Sequence, residues 1–148
     1  MSKIISSTQK AYLAGFLDGD GSIYVRVKPN PTYKYGFQIA PSIILFQSAQ
    51  DKVNFFKVCT PIGLGYMRER KDGILEYTIN RKDAILKFLQ LVQPYAVMKS
   101  EQIKLMIRIF KLKEQVHAKK DFKELVKMID KFRELNYSKK RKRRILTP

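Results

Sequence analysis

The chain has 148 residues, 45% of them hydrophobic, which is enough to bury the core of a single domain. Its 30 lysines and arginines outnumber its 13 aspartates and glutamates, and the formal net charge of +17 favours a polyanionic partner, most often nucleic acid, while leaving RNA and membrane-surface binding open. No apolar run is long enough to span a bilayer, the longest being residues 39–46, and no signal peptide opens the chain, so we expect an intracellular protein.

Periodicity and turn chemistry predict nine elements in the order α-β-β-α-β-β-α-α-α. The first helix is capped by Ser7 or Thr8 and ends at Gly19 and Gly21. Ser48, with Asp51 three residues later, resembles the capping box of the second helix. In chain order the elements cover residues 8–18, 22–28, 33–47, a helix between 48 and 63, 65–71, 75–80, 82–92, and two helices around 103–110 and 122–129.

The spacing of apolar residues predicts which side of each helix and strand is buried in the core. The second helix is expected to bury Val53, Phe56 and Cys59, with Cys59 as a core thiol that has no disulfide partner. The later helices carry stripes at the same spacing: Ile85, Phe88, Leu89 and Val92, then Ile103, Met106, Ile107 and Phe110, then Phe122, Leu125, Val126 and Ile129. We therefore predict an α+β domain over residues 1–137, followed by a basic tail at 138–148 that contains six consecutive cationic residues.

The predicted antiparallel sheet has one apolar face, which helices must cover, and one polar face that is rich in arginine. Arginine pairs with guanine, and glutamine or asparagine with adenine, in the major groove of DNA. An ordinary solvated face is the alternative interpretation. The polar face comprises Arg26, Lys28, Gln38, Ser42, Arg68, Arg70, Glu76, Thr78 and Asn80.

Residues 13–21, Leu-Ala-Gly-Phe-Leu-Asp-Gly-Asp-Gly, are the most specific feature of the chain. They place Asp18 and Asp20 at the negative end of a helix, at a cost of about 0.3–1 kcal/mol per exposed charge, which suggests a compensating cation or a functional role. Ala11, Gly15 and Gly19 lie four residues apart and lack bulk, so another helix could approach this side closely.

A calcium-binding EF-hand loop is a competing interpretation of the acidic segment. That pattern fails, because Ile23 stands where the sixth position requires glycine and Pro29 stands where the twelfth requires glutamate. A purely structural role, with small residues for packing and Asp-Gly for a turn, stays open.

Residues 13–21 resemble the signature of the LAGLIDADG homing endonucleases, which they match at six of nine positions, with Phe16, Leu17 and Gly19 as the departures. The resemblance covers most of the chain and is to the single-motif, homodimeric, intron-encoded branch of the family. It implies an αββαββα core with a four-stranded antiparallel DNA-binding sheet covered by helices on one face. Further similar stretches are 21–23, 28–30, 33–34, 65–66, Arg68, Arg70, 93–95 and 136–139.

The resemblance implies catalytic roles for Asp20, Gln47 and Lys99. Asp20 and the carbonyl of Gly19 would bind Mg²⁺, with Mn²⁺ able to substitute and Ca²⁺ supporting binding without cleavage. Gln47 would order water, and Lys99 would stabilise phosphate charge, although Lys99 could simply begin a helix. Two motif helices would pack at the dyad of a homodimer through Ala11, Ala14, Gly15 and Asp18, with Asp18 mainly structural.

Relatives often add a basic residue to the active site where this chain has Asp51 beside Lys52. The role of that basic residue is therefore unassigned here, and Lys52 is a weak candidate for it.

The only histidine, His117, is expected on the surface between two helices. Asn136 is expected to join the tail residues that grip the DNA backbone. The residues that the resemblance assigns to DNA binding are Tyr24, Arg26, Lys28, Asn30, Tyr33, Gln38, Ser42, Arg68, Arg70, Glu76, Thr78, Asn80, Ser138, Lys139 and Lys142.

The function implied is a site-specific endonuclease that makes a metal-dependent double-strand break in a long pseudo-palindromic site of an intron-less gene. Its partners would be double-stranded DNA and a second copy of the chain, in the cytoplasm of a prokaryote or an organelle matrix, with no membrane association. An intron RNA maturase of the same fold is the main alternative, and a DNA-binding module without catalysis is a third.

Overall fold

The computed structural model describes residues 4–136, and the predicted basic tail lies outside them. Within these residues, six α-helices and four strands follow one another in an αββαββαααα order. Their bounds are α1 Ser7–Asp20, β1 Gly21–Pro29, β2 Phe37–Ser48, α2 Lys52–Cys59, β3 Tyr66–Glu69, β4 Ile74–Ile79, α3 Lys82–Val92, α4 Ser100–Glu114, α5 Lys119–Asp130 and α6 Phe132–Leu135. The predicted elements are present, and α6 is an additional one-turn helix.

The four strands form one antiparallel sheet in the order β1-β2-β4-β3. Alternate residues of β1, such as Ile23 and Val25, are buried with Ile43 and Leu45 of β2 and Leu75 of β4 against the helices. The helices cover this face alone, so the alternation predicted from the sequence is confirmed. None of the described helices has the length and hydrophobicity needed to cross a membrane.

Helix α1 is longer than predicted at both ends. Ser6 rather than Ser7 or Thr8 is the cap, and it forms a reciprocal capping box with Gln9. Gly19 does not break the helix, because the backbone hydrogen bonds continue until the N–H of Gly21 binds the carbonyl of Leu17. At Gly21 the chain turns into β1, and a Cβ there would lie 2.7 Å from the Leu17 carbonyl oxygen, so this position requires glycine.

The predicted buried stripe of α2 is wrong in two positions. Val53 is 70% exposed and Phe56 40% exposed, whereas Phe55 and Cys59 are buried. The cause is a short 3-10 turn, Ala49–Asp51, which Ser48 caps and which precedes the α-helix, so the helical phase is rotated. Burial raises the pKa of the Cys59 thiol to about 12, so it is an inert core residue.

Helices α3, α4 and α5 bury most of their predicted stripes, including Phe88, Ile103, Met106 and Leu125. Helix α4 contacts both β1 and α5, and α3 contacts α1 and β2. His117 is exposed between α4 and α5, as predicted. The helical layer therefore holds α1 against the sheet and fixes where its acidic end emerges.

Candidate active site and nucleic-acid interface

The acidic end of α1 runs directly into the sheet. Gly21, the first residue of β1, pairs with Leu45 of β2. Asp20 therefore lies at the end of the sheet where β2 finishes with Phe46 and Gln47. Asp20 and Gly19 are both exposed. Two exposed residues, Gly19 and Asp20, therefore lie at this end of the sheet.

Asp18 makes a different set of contacts from Asp20. Its carboxylate accepts hydrogen bonds from the backbone N–H groups of Val97 at 2.8 Å, Met98 at 3.1 Å and Lys99 at 3.0 Å. These bonds fasten the end of α1 to the segment that leads into α4. Charged acceptors make the stronger class of hydrogen bond, so this carboxylate holds two distant parts of the chain together.

Lys99 reaches the same place from the other side. Its Nζ donates to the backbone carbonyl of Asp18 at 3.0 Å, at the negative end of the α1 dipole. Lys99 also directly precedes the first residue of α4. Its position is therefore compatible both with the expected catalytic role and with the alternative that it simply begins a helix. The structure therefore brings Lys99 to the acidic end of α1, where Asp20 also lies.

Gln47 lies at the same end of the sheet, but its side chain faces the helices. It is opposite Leu75 in the register, on the core side of β2, and its Oε1 accepts from the N–H of Ser48 at 2.8 Å. Together with Tyr12, Phe16, Asp51 and Lys57 it lines an open cleft of about 390 Å³ between α1 and α2.

Lys57, rather than Lys52, lines the same cleft as Gln47, which makes it a second candidate for the basic role that the sequence left unassigned. Lys52 is bound to Glu69 at 3.2 Å, whereas Lys57 lines the cleft. Asp51 accepts from the side chain of Asn54 at 3.0 Å. Residues 51, 54, 57 and 58 follow helical spacing along this cleft, a signal that was readable from the sequence once the phase of α2 was known.

The described part of one chain contains no complete metal site. Among the described residues no cluster of three or more histidine, cysteine, aspartate or glutamate side chains could hold an ion. Asp18 is occupied by backbone N–H groups, which leaves the Asp20 carboxylate and the Gly19 carbonyl. Both are hard oxygen donors that suit Mg²⁺ or Ca²⁺, but each ion takes six or more ligands. The remaining ligands must come from water, substrate or a second chain.

One side of α1 is open to a partner. A Cβ built on Gly15 or on Gly19 meets nothing within 4 Å, and Ala11 is exposed. Ala14, which was expected at the dimer interface, is instead 0% exposed in the single chain. It lies on the core side of the helix with Leu13 and Leu17, so it cannot supply interface area.

The polar sheet face is present, but its middle is recessed. Tyr24, Arg26, Lys28 and Gln38 lie on it towards the β1–β2 hairpin. Ser42 and Thr78 are on the expected face, yet each is only 8% exposed, which corrects the expectation that they project from it. The longer neighbouring side chains form the accessible surface.

The arginines at the other edge of the sheet differ from each other. Arg68 lies on β3 opposite Glu76. Arg70 lies one residue beyond the strand, and its guanidinium binds Asp72 at 2.6 Å and Glu76 at 3.5 Å. The prediction that both arginines are strand residues is therefore wrong for Arg70, because the hairpin turn begins there. Asn80 also lies just beyond its strand, with its amide 3.3 Å from the hydroxyl of Tyr66.

The loop between β1 and β2 is longer than predicted and is anchored on a helix. Asn30 accepts from the N–H and hydroxyl of Thr32, at 3.1 and 2.6 Å, and Tyr33 is 46% exposed in the loop rather than on β2. Tyr35 and Phe37 stack on Phe122 of α5, with ring centroids 5.1 and 6.2 Å apart. These stacks fix the loop relative to the sheet.

The residues expected to grip the DNA backbone are mostly beyond the described part of the chain. Ser138, Lys139 and Lys142 lie outside it. Asn136 is inside it, and its amide donates to the carbonyl of Ile23 at 2.8 Å, so it ties the end of the helical layer to β1. This contact gives Asn136 a structural role, and its expected role in gripping DNA stays a prediction.

Comparison with known proteins gives a consistent result. The model of the family described as LAGLIDADG endonuclease matches residues 13–107. The DNA endonuclease I-CreI of Chlamydomonas reinhardtii is 35% identical over 135 residues, which cover 88% of this chain and 80% of that protein. The DNA endonuclease I-CvuI of Chlorella vulgaris is 29% identical over 131 residues, which cover 88% and 81%.

Solved structures show the same architecture. I-CvuI in complex with the I-CreI target, with 2 mM Mg and the DNA not cleaved, superposes with a TM-score of 0.82 at 28% identity and covers 91% of this chain and 86% of its own. I-CvuI with its own target and 2 mM Ca gives the same TM-score, covering 92% and 87%. An archaeal intron-encoded homing endonuclease, I-Vdi141I, complexed with DNA, gives 0.78 at 18% identity, which supports the fold alone, covering 93% and 88%. The predicted α+β fold is confirmed.

The contacts of Asp18 predict that the two motif acids differ in their effect on stability. Asp18→Asn places an amide N–H₂ against backbone donors and should lower the free energy of unfolding by about 1–3 kcal/mol. Asp20→Asn, at the exposed end of the same helix, should change it by less than about 0.5 kcal/mol. Urea unfolding of both variants measures this. Equal stability of the two variants would contradict the bridging role of Asp18.

Proposed function

The chain belongs to the LAGLIDADG endonuclease family, and from this premise we propose that two copies of it cut both strands of one long DNA site with divalent metal ions. Site-specific DNA endonuclease activity is the function that its relatives carry. The observation that supports the proposal most directly is the end of α1, where the exposed Asp20 lies near Lys99 and beside an open helix face.

Two copies are needed because each chain carries one motif and one free motif carboxylate. A double-strand break requires two such carboxylates, one for each scissile phosphate. The side of α1 that carries Ala11, Gly15 and Gly19 is free of other parts of the described chain, and small residues allow close helix contact. A two-fold dimer would read a pseudo-palindromic site, since the same sheet meets each half.

Asp20 and the carbonyl of Gly19 are the groups that would hold Mg²⁺, with Mn²⁺ able to replace it. The bound ion would lower the pKa of a water molecule and polarise the phosphate. Lys99, held by the carbonyl of Asp18, would place a positive charge where negative charge develops on the phosphate. Gln47 would order water only after the hydrogen bond between its Oε1 and the N–H of Ser48 is broken.

The substrate would be prokaryotic or organellar DNA, and we expect the activity in a prokaryotic cytoplasm or an organelle matrix. The intron-RNA alternative has less support, because I-CreI and I-CvuI are DNA endonucleases and I-CvuI was solved in complex with DNA targets. The polar sheet face would read bases, and the basic tail would hold phosphates.

A selection for cleaved DNA tests the proposal. Plasmids carrying random inserts or genomic fragments are incubated with the full chain and Mg²⁺, and linear products are sequenced. We expect recovery of one long site with related halves. Recovery of no enriched site would contradict the proposed function.

Asp20→Asn should abolish cleavage of the selected site and retain binding to it, because the change removes a metal ligand and no base contact. Cleavage of the site by the variant in Mg²⁺, and its affinity in Ca²⁺, measure the two properties. A variant that still cuts would refute the metal-ligand role. Wild-type protein in Ca²⁺ should behave like the variant, binding without cutting.

Gly15→Leu should prevent dimer formation without unfolding the chain. A Cβ at this position meets nothing within 4 Å in the described chain, and leucine is a better helix former than glycine by roughly 1 kcal/mol. Sedimentation of the variant with DNA should show a monomer, while Lys123→Leu on the exposed side of α5 should remain a dimer. Normal dimerisation of Gly15→Leu would place the interface elsewhere.

Arg68→Ala should reduce affinity by about 1–3 kcal/mol per half-site and relax preference at one base-pair position. Lys139→Ala and Lys142→Ala should instead weaken specific and non-specific DNA alike and flatten the salt dependence by about 0.9 in slope for each phosphate that is no longer neutralised. Affinities on matched and mismatched sites over a range of salt separate the two classes. Altered base preference in the tail variants would reverse the assignment.

A further inference from the structure

The polar face of the sheet contains two apolar side chains. Ile43 and Leu45 of β2 point to the helices, so Ile44 and Phe46 lie on the opposite face. The register places Ile44 between Ser22 and Thr78, and Phe46 next to Glu76. Ile44 is buried, at 7% exposure, but lies outside the hydrophobic cluster between the sheet and the helices, and Phe46, which is partly exposed, does not pack against that cluster either.

These two residues lie at the catalytic end of the strand. Gly21 pairs with Leu45, so the end of α1 and the exposed Asp20 are level with Phe46. Gln38, which pairs with Lys28, lies eight residues before Phe46 and about 27 Å from it along β2. The sheet face therefore changes from polar at its outer end to apolar near the site of cleavage.

We propose that Ile44 and Phe46 form an apolar reading patch that contacts thymine C5-methyl groups in the inner base pairs of each half-site. The proposal rests on the proposed function and adds a feature of the substrate. Neither side chain can pair with a nitrogen or oxygen of a base edge, and the methyl group of thymine is the apolar feature of the major groove.

The surroundings of the patch favour a nucleic acid as its occupant. Glu76 pairs with both Phe46 and Arg68, so the cationic Arg68 lies two strands away from Phe46. Tyr24 pairs with Ser42, two residues from Ile44 towards the outer end of the sheet. The chain as a whole carries a formal charge of +17. Phe46 supplies the accessible part of the contact, and Ile44 supports it from below, which agrees with their exposure.

A methyl-reading patch also distinguishes DNA from RNA. Uracil lacks the C5-methyl group, and the deep, narrow major groove of A-form RNA does not admit side chains on a sheet. Duplex DNA with thymine near the cleavage position is therefore the substrate that fits this surface.

Replacement of single thymines by deoxyuridine tests the patch, because it removes the methyl group alone. With the selected site in Ca²⁺, the full chain should lose about fourfold in affinity for each buried methyl group at one or two inner positions of a half-site. Outer positions, which face Gln38 and Lys28, should show no change from this cause. A scan without any inner loss would overturn the proposal.

Variants at Phe46 identify the side chain responsible. Phe46→Ala should bind thymine and deoxyuridine sites equally at the sensitive position, whereas Phe46→Leu should keep a preference for thymine. Gln38→Ala, at the outer end of the same strand, should leave the inner preference unchanged. Persistence of the full preference in Phe46→Ala would also overturn the proposal. If the selection recovers no cleaved site, the proposed function is contradicted, and the proposal for the apolar patch, which rests on it, is contradicted as well.

Discussion

The contact between the Asp18 carboxylate and three backbone N–H groups is the constraint on which the rest of the site depends. It joins residues about eighty positions apart, from α1 to the start of α4. The bond from Lys99 Nζ to the Asp18 carbonyl and the burial of Leu17 hold the same end of α1. Because α1 is fixed at this point, Asp20 emerges at one end of the sheet and Lys99 is brought to the same end.

Two carboxylates at the negative end of a helix oppose its dipole, and the structure resolves this conflict differently for each. Asp18 is stabilised by N–H donors of its own chain. Asp20 has exposed surroundings and no such donors among the described residues, so its charge is available for an external cation. Lys99 offsets part of the negative potential through the Asp18 carbonyl. A single chain therefore contains one stabilised acid and one uncompensated acid, and the proposed shared active site would use the second.

Much of the fold could be predicted because it depends on periodicity. The order of the elements, the two faces of the sheet and the stripes of α3 to α5 follow from spacings of two and about 3.6 residues. The errors lie where a local feature changes the phase, as the 3-10 turn before α2 did for Val53 and Phe56. The full burial of Ala14 and the pairing of Arg70 with Asp72 and Glu76 depend on tertiary contacts that no spacing encodes. Family resemblance, rather than periodicity, supplied Asp20, Gln47 and Lys99.

The sheet is supported at both ends, and this explains how a small domain can present a rigid reading surface. At the inner end Asp18 fastens α1, and at the outer end Tyr35 and Phe37 stack on Phe122 of α5. Between these anchors β2 runs through twelve residues and pairs with two neighbours. Ordering side chains on binding costs affinity, so a surface that is already fixed loses less. The same anchors set the separation between the outer polar side chains of the sheet and Asp20. In the proposed function, recognition of the outer bases would therefore determine which phosphate Asp20 reaches.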